Sequence, residues 1–397
     1  MFKHLYEKST ADTYGRFDVE IISGKGATCI DAGGKKYIDF TSGIGVNSLG
    51  FCDPDWSAAV AGQAGKLNHT SNLYYTSPGG ELCAKLTSLT GYSKVFLCNS
   101  GAEATEGAIK AVRKYSHDKY GENRHTILTL KNSFHGRTLT ALTATGQENL
   151  QAGFAPLTPG FKYIPANDIN ALQNELNSTD ENGVCRTNTV CSVMIEFIQG
   201  EGGVIPLDKD YIKQLFELCA QKDVLVIADE VQTGIGRTGK FLCAEHYNVN
   251  ADITTLAKGL GGGLPIGAIL FNEKTAAILG RGSHGSTYGG NPIVCAGANV
   301  VLQKVSDPGF LVNVNRAGDY LQSKLKTHCD VSGAGLMLGL ELKNKKAADV
   351  ALQTTKSGLL TLIAKNKLRL LPPLNISEQE LEAGLEILLE VLNSPSL

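Results

Sequence analysis

The sequence predicts an α/β protein: a large unit with a mostly parallel sheet covered by helices on both faces, and a smaller α+β unit. Three observations lead there. Short apolar runs alternate with helix-like stretches through the middle of the chain, the ends carry a different pattern, and 397 residues exceed one ordinary domain. The candidate strands are Lys94–Cys98, Thr126–Leu130, Cys191–Phe197, Val224–Ala228, Asp252–Leu256 and Gly267–Phe271. Between them, Ala102–Tyr120 is rich in Ala, Glu and Lys, and Asp210–Lys222 places Ile212, Leu215, Phe216 and Cys219 on one face. Buried strands alternating with helices imply parallel pairing with helical crossovers.

Residues 23–40 alternate and turn at Gly33-Gly34, as a short antiparallel ribbon does. After about residue 300 come helix, strand, helix, strand and a final helix, Glu378–Leu392. The division expected is a segment 1–50 joining the small unit, a large unit 51–295 and a small unit 296–397.

Composition narrows the function. With 42% hydrophobic and 19% charged residues the chain can bury a large core. A net charge of −2 carries no nucleic-acid footprint or polybasic membrane patch. No apolar run approaches the roughly 20 residues that cross a bilayer. The opening Met1-Phe2-Lys3-His4-Leu5-Tyr6-Glu7 has neither signal-peptide nor transit-peptide character. Ten cysteines at irregular spacing, without a C-x-x-C pair, argue against zinc or disulfides and for a reducing cytoplasm. No metal site is expected.

The distinctive polar residues fall after strands, where open parallel sheets bind ligands. Asn99-Ser100-Gly101-Ala102-Glu103 follows one strand and opens a helix, which suits a phosphate or simply an N-cap and turn. Asp229-Glu230 follows five apolar residues, so the Asp229 carboxylate needs a cationic or N–H partner: a protonated ring nitrogen or a structural arginine. Lys258 stands between an apolar strand and a glycine run. There its charged form is disfavoured and space is open beside it, suiting Schiff-base chemistry, although a snorkelling lysine reads the same way. Phosphate cradle, ring-nitrogen carboxylate and reactive lysine are together the parts a pyridoxal-phosphate (PLP) enzyme needs. Gly234-Ile235-Gly236-Arg237-Thr238-Gly239 matches G-x-G-x-x-G, but Asp229–Thr233 separates it from the strand and no helix start follows, so a dinucleotide site is not expected.

At these residues the chain resembles the class III (subgroup II) aminotransferases over nearly its whole length. The densest stretches are Asn99–Ala104, Ser133–Thr138, Gln199–Gly203, Asp229–Gly234, Leu256–Gly259 and His284–Pro292. The resemblance implies a PLP-transferase fold of type I with a seven-stranded, mostly parallel sheet, and PLP as cofactor. It implies Lys258 as covalent tether and proton shuttle, and Asp229 as partner of the pyridine nitrogen. Ser100, Gly101 and Ala102 would bind the phosphate, Phe134 and Val231 would sandwich the ring, and Gln232 would face its hydroxyl. Thr287 would reach the phosphate of a neighbouring subunit in a homodimer.

For substrates, the resemblance implies Arg369 gripping an α-carboxylate, Glu201 pairing with Arg369 when an ω-amine is bound, and Arg137 holding the distal carboxylate. Without it, Arg369 reads as an exposed strand arginine. Ile44 lies where relatives acting on free ornithine carry tyrosine, leaving an apolar wall that favours an acetylated amine. The expected reaction moves the 5-amino group of N2-acetylornithine to 2-oxoglutarate. 4-Aminobutyrate, ornithine, succinylornithine and succinyldiaminopimelate are alternative donors, and a non-catalytic PLP-binding protein is a remoter option. Two stretches depart from the family pattern: Gly50-Phe51-Cys52-Asp53-Pro54, and Glu196-Phe197-Ile198-Gln199, whose Glu196 is expected at the substrate.

Overall fold

A computed structural model describes residues 2–177 and 189–394. Its centre is a seven-stranded sheet in the order Lys94–Cys98, Gly267–Phe271, Ile253–Leu256, Leu225–Asp229, Val190–Ile195, Thr126–Leu130, Phe161–Ile164. The five strands from Ile253–Leu256 to Phe161–Ile164 pair in parallel, whereas Gly267–Phe271 runs antiparallel to both its neighbours. All six expected strands are present, shifted by a residue or two in Val190–Ile195, Leu225–Asp229 and Ile253–Leu256. The seventh, Phe161–Ile164, is an edge strand of three half-buried residues and one buried one, too short to stand out by hydropathy. Val190–Ile195 and Leu225–Asp229 are buried along their whole length, as continuous apolar runs covered on both faces must be.

The long helix Gly101–Tyr120 starts where the side chain of Ser100 accepts the Glu103 N–H at 3.1 Å. It buries Ala104, Ala108, Ile109 and Val112 against the sheet. Lys209–Gln221 buries Tyr211, Ile212, Leu215 and Cys219 in the larger apolar cluster. The expected boundary near residues 295–300 falls inside the helix Pro292–Val305, which packs on Pro54–Ala64 and Ser77–Thr90.

The chain's two ends interlock. The strands Ile21–Lys25, Thr28–Asp31 and Lys36–Asp39 form an antiparallel ribbon, and Leu359–Leu360 joins it in parallel, Leu359 opposite Ile38. A separate antiparallel sheet runs Asp330–Ala334, Met337–Glu341, Lys367–Leu370, Leu362–Ala364. The last helix, Glu378–Asn393, opens with a capping box between Ser377 and Glu380. Glu380 Oε1 also accepts from the Ala27 N–H at 2.9 Å and the Thr28 hydroxyl at 3.0 Å.

Among the described residues no helix is long and apolar enough to cross a membrane, no acid, histidine and cysteine cluster could hold a metal ion, and the nine cysteines are unpaired. Because Glu380 caps the last helix and ties it to the ribbon at once, Glu380→Ala is expected to cost about 1–3 kcal/mol, more than an ordinary cap. The thermal unfolding midpoint of the variant checks this.

Candidate active site

A cavity of about 480 Å³ opens at the carboxyl ends of the parallel strands. Its wall includes Ser100, Gly101 and Ala102 at the start of the long helix, Phe134, Arg137, Glu196, Asp229, Val231, Gln232 and Lys258. The first three present free N–H groups and a helix's positive end, the setting for an anion.

Lys258 sits where the strand Ile253–Leu256 breaks into a single turn, with φ of 41°, a left-handed conformation that strains a side-chain-bearing residue. Two donors hold that turn. The Ser48 hydroxyl donates to the Gly259 carbonyl at 2.8 Å, and the indole N–H of Trp56, the only tryptophan, donates to the Gly261 carbonyl at 3.0 Å. Burial pushes the Lys258 ammonium below its ordinary pKa; Glu201 works against this, and Arg369 adds to it. Among the described residues its Nζ has neither hydrogen bond nor ion pair. A desolvated, unpartnered amine is a competent nucleophile toward a carbonyl.

Asp229 ends the neighbouring strand and is 4% exposed. Oδ2 faces Nδ1 of fully buried His135 at 2.7 Å, while Oδ1 accepts from the Val231 N–H at 3.1 Å and the Thr255 hydroxyl at 3.2 Å. Burial alone would lower the His135 pKa, but the bond to Asp229 and its charge outweigh it, so the imidazole titrates above its ordinary value. The protein partner of Asp229 is thus a histidine, not an arginine. Sequence reasoning passed over His135, and its place directly after Phe134 was the available signal.

Glu196 lines the cavity, but its carboxylate is spent on the backbone. Oε2 accepts from the Phe134 N–H at 2.9 Å and Oε1 from the Gly200 N–H at 3.3 Å. It holds the Phe134 loop in place from within the cavity wall. Burial raises its pKa to about 7, partly offset by His135.

Arg369, on the strand Lys367–Leu370, is 2% exposed, which overturns the exposed-arginine reading. Its Nη1 lies 2.5 Å from Glu201 Oε1 and 3.1 Å from Gln232 Oε1, and Gln232 Nε2 donates to Glu201 at 3.4 Å. Gln232 therefore joins the ion pair to the cavity wall. Burial would raise the Glu201 pKa, yet the Arg369 charge and hydrogen bond hold it below the usual carboxylate range. Arg137 lies in the wall with its guanidinium 5.5 Å from the centre of the Phe134 ring.

Four expected residues stay outside the cavity wall: Glu201 and Arg369, which are joined to it through Gln232, and Ile44 and Thr287. Ile44 is 44% exposed in the turn Ser42–Gly45, and Val46 takes the place in the wall. Thr287 is exposed on a loop tied down by Asn99, which donates to the Ser286 hydroxyl at 3.0 Å, and by Asn72, which donates to the Gly289 carbonyl at 2.8 Å.

Residues 10–392 match the family model of the class-III aminotransferases. The chain belongs to that family. Its members are PLP-dependent transaminases, and the residues fit the cofactor: an unpartnered amine, a buried carboxylate and a helix start surround one cavity. An acetylornithine aminotransferase of Haemophilus ducreyi is 49% identical, with 98% of each chain covered. That of Aquifex aeolicus is 46% identical over 96% of this chain and 99% of its own. Among solved structures, the Stenotrophomonas maltophilia N-acetylornithine aminotransferase superposes with a TM-score of 0.83 at 36% identity, covering 99% and 98%. The Toxoplasma gondii ornithine aminotransferase gives 0.92 at 32% identity, covering 98% and 94%.

The raised pKa of Glu196 carries a sign. Between the ordinary value of 4.5 and about 7 the folded state binds the proton that the unfolded state releases, so stability falls as pH rises through that window. Glu196→Gln does not titrate. Its stability relative to the parent is expected to improve by roughly 1–3 kcal/mol between pH 5 and 8. Denaturation midpoints of both proteins at the two pH values check this, and a gap independent of pH contradicts it.

Proposed function

We propose that this aminotransferase moves the 5-amino group of N2-acetylornithine to 2-oxoglutarate, in arginine biosynthesis and in the cytoplasm. The observation that carries the reading is the Arg369–Glu201 pair within electrostatic reach of Lys258. While Glu201 neutralises Arg369, an amine end without a carboxylate can approach the lysine. When an α-carboxylate enters, the guanidinium fork can leave Glu201 and grip it in bidentate fashion. Arg137 takes the carboxylate at the far end of either substrate.

Bound PLP supplies the electron sink that makes the substrate carbon acidic. Asp229, oriented by His135, would pair with the ring nitrogen, Ser100, Gly101 and Ala102 would hold the phosphate, Phe134 and Val231 would flank the ring and Gln232 its hydroxyl. Lys258 would tether the cofactor, and its amine would hold and move the proton at the substrate carbon. The names of the bacterial relatives support the acetylated donor.

The functional unit in this reading is a homodimer in which Thr287 reaches the partner's phosphate. Exposed Leu73, Tyr74, Tyr75 and Tyr288 beside that loop support a covered surface there. The division into 1–50, 51–295 and 296–397 belongs to the same proposal.

Adding N2-acetylornithine without an oxo acid is expected to bleach the yellow absorbance of the holoenzyme, and 2-oxoglutarate to restore it. A yellow protein indifferent to N2-acetylornithine rejects this donor in favour of another ω-amine. In mixed dimers of Lys258→Ala and Thr287→Ala chains, one of the two sites is expected to regain activity. Mixtures no more active than either parent refute the shared site.

A further inference from the structure

The segment Gly234–Gly239 matches a dinucleotide-binding spacing, and its glycines serve another purpose. Gly236 and Gly239 adopt φ of 83° and 84°. A Cβ on Gly236 would stand 2.8 Å from Val305, 3.1 Å from Leu311 and 3.4 Å from Leu374, and one on Gly239 would overlap the Asn315 side chain. The loop is thus pressed against the helices Pro292–Val305 and Pro308–Leu325. Close packing, rather than a phosphate, accounts for both glycines.

Arg237, between them, is 2% exposed. Its Nη1 donates to the Leu336 carbonyl at 3.0 Å and the Pro372 carbonyl at 2.6 Å, and its own carbonyl accepts the Leu336 N–H at 3.0 Å. Leu336 immediately precedes the strand Met337–Glu341, and Pro372 follows Lys367–Leu370 by two residues. Those strands pair with Gly339 opposite Arg369. One guanidinium therefore holds the backbone at the end of the strand pair that carries the substrate arginine, from the same loop that supplies Gln232.

A buried acid acts on this node from a distance, without an ion pair to Arg237. The Asp39 carboxylate acts electrostatically on Arg237, and its Oδ1 accepts from the Thr41 N–H at 2.7 Å, the Thr41 hydroxyl at 2.6 Å and the Ser42 N–H at 3.1 Å. Those bonds begin a left-handed turn, with φ of 47° at Ser42, 61° at Gly43, 67° at Ile44 and 75° at Gly45. Such a run is costly for residues with side chains. The Ser42 hydroxyl ties the turn to the Leu371 carbonyl at 2.7 Å, one residue before Pro372.

We propose that Arg237 is a positioning residue for Arg369, fixing the carboxylate grip through the Leu336 and Pro372 carbonyls, with Asp39 as its buried counter-charge. The inference rests on the proposed role of Arg369. Only the oxo-acid half-reaction asks Arg369 to leave Glu201 for a substrate carboxylate, so only that arm depends on its exact placement. A lysine at 237 keeps the charge but cannot place its single ammonium where Nη1 donates to both carbonyls in the guanidinium plane.

The test uses the holoenzyme of R237K and D39N, with each half-reaction measured alone. Asparagine at 39 can keep the three bonds at Oδ1 and removes only the charge. In R237K the 2-oxoglutarate concentration for half-maximal rate is expected to rise about tenfold or more, with that for the amino donor changed less than about threefold. D39N is expected to shift the same arm in the same direction by a smaller factor, and it decides alone if R237K yields no soluble holoenzyme. Equal losses in both arms, or parental behaviour of the variants, overturn the proposal. Equilibrium dialysis of glutarate separates this outcome from a failure of the donor assignment. An enzyme indifferent to N2-acetylornithine refutes the donor, whereas weaker glutarate binding to the variants supports the role of Arg237 and unchanged binding refutes it.

Discussion

Charges taken out of water must be neutralised by their neighbours, and that constraint organises this molecule. Lys258, Asp229 and His135 line one cavity, and the Glu201–Arg369 pair is joined to its wall through Gln232, where an unpaired charge is heavily penalised. Asp229 is offset by His135, and Arg369 by Glu201. Lys258 alone has no direct partner among the described residues and responds by shedding its proton more readily. The unbalanced member of the set is the one whose proposed role as tether needs an uncharged amine.

The sheet makes this gathering possible. Parallel strands end on one side, and Asp229 and Lys258 follow adjacent strands, Leu225–Asp229 and Ile253–Leu256. The start of the long helix follows Lys94–Cys98, two strands further along. Residues far apart in the chain therefore meet without a long loop. Arg369 comes from a different sheet, so its position depends on how the two sheets are locked together.

That division explains what was legible in the sequence. Runs such as Val224–Ala228 announce buried strands, and a polar residue directly after one announces a site, so Asp229 and Lys258 could be picked out locally. The edge strand Phe161–Ile164 carries too little apolar length to be seen, and no local pattern signals the antiparallel direction of Gly267–Phe271. Arg369 looked exposed because its burial comes from Glu201 and Gln232, 168 and 137 positions away. His135 was missed for the same reason: its partner, Asp229, becomes a neighbour only in three dimensions. Gly236 and Gly239 matched a ligand motif by spacing while answering to helices that follow much later.

The pairing of Lys36–Asp39 with Leu359–Leu360 also sets a timetable. During synthesis the N-terminal ribbon emerges first, but its partner strand leaves the ribosome about 320 residues later, a delay of tens of seconds at roughly 5–20 residues per second. Throughout that interval Lys36–Asp39 is an open edge able to pair with any other extended segment. The polar Lys35 and Lys36 at its start act as guards against such pairing. Completion of the last helix, with Glu380 closing on Ala27 and Thr28, makes the ribbon's docking final. The ribbon is therefore fully paired only after Leu359–Leu360 and the helix Glu378–Asn393 have been made.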